Sequence, residues 1–394
     1  MIAQMKYACI FLLTFIFILC KTNAQNNITG FVFEDLNQNG VKDKNENGIK
    51  SVAVSNQVDV VTTGIDGSFS LPRGNGFGIV FITQPEGYKS ASAFWKTIDS
   101  SKPESIYFPL VKSKPVTSFT FIHASDTHIS PAGMDRMKKL EQVTDSVKPD
   151  MMLITGDLVR DALRVPETTA RSLYELFKTE KTKINTTVWL VPGNHEIFGI
   201  ERHLSLVSSS NPLYGRKMYR YYFGPDYYSF NFGGVHFIAL NSLDFEDLWY
   251  YGKIDSTQLE WLKRDVAFVD AKTPIVTFQH VPFYSGGLSI QPYEGNGPAR
   301  TIELENGVIQ YRHVVSNAQD VLAILKNHNY PLALAGHHHF QQKFSLAGTQ
   351  TRFEQTAAVI GPSEEGELKM PSGIMVYTVK DGKIDEGKFV PLDK

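Results

Sequence analysis

Hydrophobic positions in this chain follow two different rhythms. Up to about residue 113 the apolar runs are short and alternating, at residues 28–33, 52–54, 58–61, 68–71 and 79–82, and are separated by Gly, Asn, Asp and Pro. That spacing predicts a small antiparallel β-sandwich. Ser113-Lys114-Pro115-Val116 reads as a linker, and beyond it strand-like runs alternate with helical patterns. Apolar runs at residues 119–122, 151–154, 188–191, 275–278 and 332–335 predict buried strands. Met134, Met137, Leu140, Val143 and Val147 recur every three or four residues, as one face of a helix does. A second helix is expected to start near Pro166, a favoured first helical position, and to carry Leu173, Leu176 and Phe177. Ser256 is the expected N-cap of a third, with Leu259, Leu262, Val266 and Val269 on its buried face, and a fourth covers residues 317–326. Residues 227–232 and 235–240 flank Gly233-Gly234, a two-residue hairpin signal. Residues 344–390 are strand-like again, with Asp381-Gly382 as a turn.

Each of the five buried strands is followed at once by side chains that carry chemistry. These are Asp126-Thr127-His128, Gly156-Asp157, Gly193-Asn194-His195-Glu196, His280 and Gly336-His337-His338-His339. In an open α/β sheet, residues just beyond the carboxyl ends of strands face one crevice, so segments far apart in sequence converge there. The residue types suit a pair of divalent ions. Two ions about 3.5–4 Å apart polarise a phosphoryl oxygen and generate hydroxide at neutral pH. One carboxylate has to bridge them and offset part of their repulsion. Imidazoles and carboxylates favour zinc, iron or manganese, whereas thiolates would select other metals. A lone Asp-x-His or Gly-Asp pair says nothing; the full ordered set, each at a strand end, specifies a site.

The ordered pattern resembles the calcineurin-like metallophosphoesterase superfamily, whose motifs are D-x-H, G-D, G-N-H-[DE], H and G-H-x-H. The likeness runs from about Val116 onward. It implies an α/β fold of two facing β-sheets flanked by helices, preceded here by a small all-β sandwich. Residue by residue, it implies that Asp126, His128 and His339 hold one transition-metal ion (Mn, Fe or Zn). Asp157 would bridge, and Asn194, His280 and His337 would hold the second ion. His195 matches the family histidine that contacts the phosphoryl group and assists the leaving oxygen. The implied activity is hydrolysis of phosphate mono- or diesters by in-line attack of hydroxide, with Asn194 helping to stabilise the phosphoryl oxygens. The same core serves monoesterases and diesterases.

Of 11 histidines, His128, His195, His280, His337 and His339 fall on motif positions. His123, His203, His236, His313 and His328 match none and are read as structural. His338 lies between two expected ligands and, in extended chain, points away from both, so it is expected behind the site or toward solvent. Glu196 is expected to orient His195, as carboxylates often do for imidazoles at metal sites.

The ends and the composition narrow the setting. Lys6 and an apolar stretch from Tyr7 to Leu19 form a targeting segment of the first 24 residues, too short for a spanning helix of about 20. Thr22-Asn23-Ala24 offers small residues at a signal-peptidase site. The expected product is exported, periplasmic or extracellular, with no transmembrane span. The alternative is lipid anchoring through Cys20, although Leu19 precedes it where a small residue is wanted. Both cysteines lie in this segment, so the mature chain has no disulfide and no thiolate ligand. A mature chain of roughly 370 residues accommodates two domains, 25–113 and 114–394. A net charge of −2 without blocks of like charge removes the footprint of a dedicated nucleic-acid binder. A small-molecule or envelope-derived phosphoester is the expected substrate.

Within the β-domain, residues 35–46 satisfy the calcium-loop template D-x-[DN]-x-[DN]-G-x5-E. Side-chain oxygens of Asp35, Asn37, Asn39, Asp43 and Glu46, with the Val41 carbonyl, could surround one Ca²⁺. The flanks read as strand, which argues against an EF-hand. The arrangement resembles calcium-bearing loops of secreted bacterial β-sandwiches and the N-terminal module often fused to metallophosphoesterases. A turn-rich loop that binds nothing would show the same composition. The long glycine-rich stretch 283–315, with Gly286-Gly287, Gly295 and Gly297, reads as a lid or selector near the site. Tyr284, Tyr293, Arg300 and Arg312 are its candidate substrate contacts. Two rival functions stand beside the phosphoesterase: a degenerate, non-catalytic surface binding or adhesion module, and metal-dependent hydrolysis of another ester or an amide. Intact ligand motifs argue against the first, and Asn194 with a bridging Asp against the second.

Overall fold

The computed structural model describes residues 27–73, 76–99, 105–286, 301–365 and 368–393. The expected targeting segment, with Cys9 and Cys20, lies outside them, as do Tyr293 and Arg300. Among the described residues, no helix is long and apolar enough to cross a membrane.

The N-terminal part is the expected sandwich, with more strands than the sequence pattern predicts. Its strands are β1 (Asn27–Glu34), β2 (Ala53–Ser55), β3 (Val60–Thr62), β4 (Ser68–Pro72), β5 (Ile79–Ile82), β6 (Tyr88–Ser90), β7 (Trp95–Thr97) and β8 (Ile106–Lys112). They form two four-stranded sheets, ordered β4-β1-β8-β6 and β3-β2-β5-β7. The expectation of a purely antiparallel domain is corrected at one place: β1 and β8, the first and last strands, pair in parallel from Gly30↔Ile106 to Glu34↔Leu110. Inward residues of both sheets, such as Val32, Val54, Leu71, Val80, Ile82, Phe108 and Leu110, make the module's core.

Beyond it, β9 (Ser118–Ala124), β10 (Met151–Thr155) and β11 (Thr187–Val191) pair in parallel, with helix α1 (Met134–Val147) and helix α2 (Glu167–Lys181) in the crossovers. The second sheet uses β12 (Tyr228–Phe232) and β13 (Val235–Ala239), joined by the Gly233-Gly234 turn, then β16 (Ile275–Phe278), β19 (Leu332–Ala335), β20 (Gln342–Ser345) and β21 (Arg352–Gln355). Short hairpins intervene: β14 (Leu243–Glu246) with β15 (Trp249–Gly252), and β17 (Thr301–Glu303) with β18 (Ile309–Tyr311). A third, β22 (Ser363–Glu365) with β23 (Leu368–Met370), precedes β24 (Gly373–Lys380), β25 (Lys383–Ile384) and β26 (Lys388–Pro391). The turn at Asp381-Gly382 joins β24 to β25, and β24 lies antiparallel to β9. Sheet orders are β11-β10-β9-β24-β25, with β26 on β24, and β12-β13-β16-β19-β21-β20.

The two sheets face each other. Strand β10 is buried at every position. Met151 and Leu153 join a core with Phe230, Phe237, Val276, Leu334 and Tyr377. Met152 and Ile154 point the other way, onto Met137 and Leu140 of α1 and Ala170, Tyr174 and Phe177 of α2. Rings stitch the sheets together: Phe121 meets Phe237 edge-on at 5.9 Å, and Trp189 stacks on Phe230 at 3.7 Å. Helices α3 (Ser256–Val266) and α4 (Ala318–Leu325) cover the second sheet through Trp261, Leu262, Val321 and Leu325. Asp255, and not Ser256, caps α3, because its carboxylate accepts from the Gln258 amide at 2.9 Å. The chain is therefore α/β, two facing sheets flanked by helices behind an all-β module.

Candidate metal centre

Every motif emerges where the sheets bring strand ends together. Asp126 and His128 follow β9, Asp157 follows β10, Asn194 and His195 follow β11, His280 follows β16, and His337 and His339 follow β19. Backbone hydrogen bonds lash these loops to one another: Asp126 N–H donates to the Gly156 carbonyl, His128 N–H to Asp157, and Gly336 N–H to His280. The motif glycines are required by close approach. A Cβ on Gly193 would lie 2.1 Å from Asp157 Oδ1, and one on Gly336 would lie 1.8 Å from Ser125 Oγ.

Two groups of ligand atoms result. Asp126, His128, Asp157 and His339 form one, and Asp157, His280 and His337 the other, each with its atoms within 4.8 Å of one another. Asp157 belongs to both. Its Oδ1 accepts the His195 amide at 2.9 Å. Its Oδ2 stands 3.5 Å from His128 Nε2 and 3.3 Å from His280 Nε2, between the groups. Asn194 Oδ1 lies 3.1 Å from His280 Nε2, so it joins the second group.

The donor set fits metal. Asp126 Oδ1 is buried and meets no hydrogen bond, while ring nitrogens of His339 and His128 stand 3.3 and 3.9 Å from it. His128 Nε2 and His339 Nε2 face each other at 3.1 Å, as do His280 Nε2 and His337 Nδ1. Only one nitrogen of each pair can donate, so these rings leave lone pairs aimed inward, where a divalent cation satisfies them. His280 Nδ1 donates to the Thr155 carbonyl at 2.7 Å, which turns its Nε2 lone pair toward the cluster.

Electrostatics follow the same division. Burial opposes charge on His280, but Asp157 and Asp126 outweigh it and push the imidazole up to about 9. Burial takes His128 down to about 4. Against the burial that would raise it, Asp157 is held well below the usual carboxylate range by His280 and His195.

The cluster floors an open cleft of about 480 Å³ whose walls include His195, Arg160, Asp161, Tyr250 and Ile360. His195 Nδ1 donates to the Arg160 carbonyl, which leaves Nε2 facing the cleft, 3.8 Å from Asp157 Oδ2. Glu196 does not reach that ring. Its buried carboxylate accepts the Val159 and Gly193 amides at 2.9 and 2.6 Å and ties together the loops after β10 and β11. His338 is buried behind the site, with Nε2 3.0 Å from the His313 carbonyl. Of the expected substrate contacts, Tyr284 packs on Phe353 and accepts from Gln319, away from the cleft. Arg312 is buried with its guanidinium 4.4 Å over the Tyr250 ring. Arg160, Asp161 and Tyr250 were invisible as single residues; only Arg160 and Asp161, just after Gly156-Asp157, carried a positional signal.

The Asp35–Glu46 loop closes on its own hydrogen bonds. Asp35 accepts the Asn39 and Gly40 amides, Glu46 those of Leu36 and Asp43, and Asn37 and Asn39 both donate to Asp43. Asp43 shares no cluster with Asp35 and Glu46: among the described residues, acidic and imidazole groups gather in threes only at the centre above. Val41 is exposed at the loop's outer side.

Residues 119–341 match the family model for calcineurin-like phosphoesterase, and residues 36–113 match that for the N terminal of calcineurin-like phosphoesterase. The chain belongs to the calcineurin-like phosphoesterase family. It is 29% identical over 233 residues to probable purple acid phosphatase 20 of Arabidopsis thaliana, covering 56% of this chain and 46% of that protein. It is 27% identical over 202 residues to purple acid phosphatase 22 of the same plant, covering 50% and 39%. This chain thus spans less than half the length of these curated relatives. Among solved structures, a dimetal phosphatase from Danio rerio superposes with a TM-score of 0.45 at 13% identity, over 71% of this chain and 100% of that one.

Proposed function

We propose that this chain hydrolyses phosphoric mono- or diesters at a dinuclear metal site, with a small-molecule or envelope-derived phosphoester as substrate. The observation that carries the reading is Asp157 Oδ2, poised between two ligand groups drawn from five strand ends. Asp126, His128 and His339 would hold one ion, Asn194, His280 and His337 the other, and Asp157 both. The pair would supply Lewis-acid polarisation of a phosphoryl oxygen and a nucleophile from water at neutral pH. The chain's own groups do the rest. The Arg160 carbonyl accepts from His195 Nδ1–H and so turns Nε2 toward the leaving oxygen, to which the doubly protonated ring would hand its Nε2 proton. Asn194, with Oδ1 turned to His280, keeps its amide donors for a phosphoryl oxygen. Arg160 lines the cleft, and its side chain would add a cation for a phosphoryl oxygen.

Export belongs to the same proposal and rests on the first 24 residues. Calcium in the Asp35–Glu46 loop is a separate proposal, supported by the complete loop template. The activity is tested with purified protein and Mn²⁺, Fe²⁺ or Zn²⁺ against p-nitrophenyl phosphate and bis-p-nitrophenyl phosphate. Metal-dependent release of p-nitrophenol, abolished by chelation, is expected. No release from either ester with any of the three metals would overturn the reading, and the ratio of the two rates separates monoesterase from diesterase.

A further inference from the structure

His337 shows two faces to two different neighbours. Its Nδ1 stands 3.1 Å from His280 Nε2, on the side of the second ligand group. Its Nε2 stands 2.7 Å from Nδ1 of His313, a residue of the insertion between the fourth and fifth motifs. The two rings lie 4.9 Å apart at 25°. We propose that His313 is a positioning residue for the second metal: as a hydrogen-bond acceptor, it holds His337 in the tautomer that can ligate.

The argument is one of proton counting. Two imidazole nitrogens at 2.7 Å share one proton, so one donates and the other accepts. If His313 Nδ1 donated, His337 Nε2 would be the acceptor, and the neutral His337 ring would carry its proton on Nδ1. That proton would point into the metal group and block ligation. If His337 Nε2 donates, its Nδ1 keeps a free lone pair toward His280 and the ion. Ligation therefore requires His313 to accept at Nδ1 and to carry its own proton on Nε2. A ligating histidine ordinarily gives its outer N–H to a carboxylate, a carbonyl or water. Here the acceptor is a second imidazole, a neutral group that leaves His337 a weaker donor than a carboxylate partner would.

The surroundings fix His313 for this task. His338, which the sequence places between two ligands, donates from Nε2 to the His313 carbonyl at 3.0 Å. Tyr250 sets its ring edge-on to both His313 and His337, at 6.4 and 6.3 Å. The neighbouring Arg312 lies over that same tyrosine. The insertion is thereby tied to the metal centre through consecutive residues, Arg312 and His313.

The inference rests on the two-metal reading of the site and on no particular substrate. Its test is equilibrium dialysis of the full chain against graded Mn²⁺, read as ions bound per chain, for wild type, His313→Leu and His313→Asn. Asparagine can place Oδ1 near the position of the lost Nδ1 and accept; leucine cannot. His313→Leu should weaken the second ion by about 10–100-fold and leave the first unchanged. His313→Asn should recover most of the loss. Unchanged second-ion affinity in the leucine variant overturns the role, and so does an asparagine variant as weak as leucine. A melting temperature for His313→Leu close to wild type under chelation supports a local effect, and a large drop overturns it in favour of packing. A wild-type chain that binds one ion would overturn the two-metal reading itself. Two ions without esterase activity would leave this inference intact while the proposed function fails.

Discussion

Asp157 spends one carboxylate oxygen on the His195 amide and turns the other between imidazoles from two different loops. Asp157→Ala should therefore lose both ions, whereas Asn194→Ala should chiefly weaken the one shared by His280 and His337. Elemental analysis after dialysis checks this; two ions retained by the Asp157 variant would contradict the bridging role. His195 offers only Nε2 to the cleft, with its other nitrogen taken by the Arg160 carbonyl. His195→Ala should keep its metal content yet lower kcat by about 10²–10⁴ on a substrate with a poor leaving group. A variant that turns over such a substrate at the wild-type rate would remove His195 from the chemistry.

At the scale of elements, the strands that carry the site were legible because each is a short, mostly apolar and mostly buried run followed by a polar motif. The ranges 275–278 and 332–335 coincide with β16 and β19. What the sequence hid was tertiary. His313 meets His337 across 24 residues through a fold of the insertion that no periodicity announces. Strand β8 contains Pro109, which masks its alternation. Asp255 and Ser256 can both cap a helix, and only geometry decides which side chain reaches Gln258. The loops after the strands show a further feature: Asp126, His128, Asp157, His337 and His339 all have positive φ, between 39° and 78°. Left-handed backbone costs a non-glycine residue about 1–2 kcal/mol. His339→Asn should thus raise the stability of the chelated protein by up to about 1 kcal/mol while weakening the first ion. Denaturant melts with EDTA measure it, and a less stable variant would show that the backbone there is not under strain. For the calcium loop, millimolar Ca²⁺ binding at 10⁻⁴–10⁻³ M would add about 1 kcal/mol. The matching rise in melting temperature of the full chain should vanish in an Asp35→Ala, Glu46→Ala double variant; no rise in the parent would leave the loop ion-free.

Across the whole molecule, the N-terminal module is bolted to the α/β core, not tethered to it. Phe81 of β5 belongs to the main core and meets Trp261 at 6.3 Å. Gln57 is fully buried and donates to Asp226, which also accepts from Arg220 and Asn241. Thr83, Ser229, Asp265 and His236 form a buried hydrogen-bonded chain across the same junction. Asp226→Ala would leave the partly buried Arg220 guanidinium and the buried Gln57 and Asn241 amides without their acceptor and should cost on the order of 3 kcal/mol, unfolding module and core in one transition. Two separate transitions in that variant would show that the junction is looser than its contacts. The pairing of β9 with β24 has a consequence of another kind. The strand that launches Asp126 and His128 finds one of its two neighbours some 250 residues further along, at Met375↔His123. On the ribosome, β9 and β10 emerge long before β24, so this central strand waits with a bare edge open to mispairing. A chain stalled before residue 373 would already contain every metal-binding side chain and yet lack the strand that holds the first of them in place.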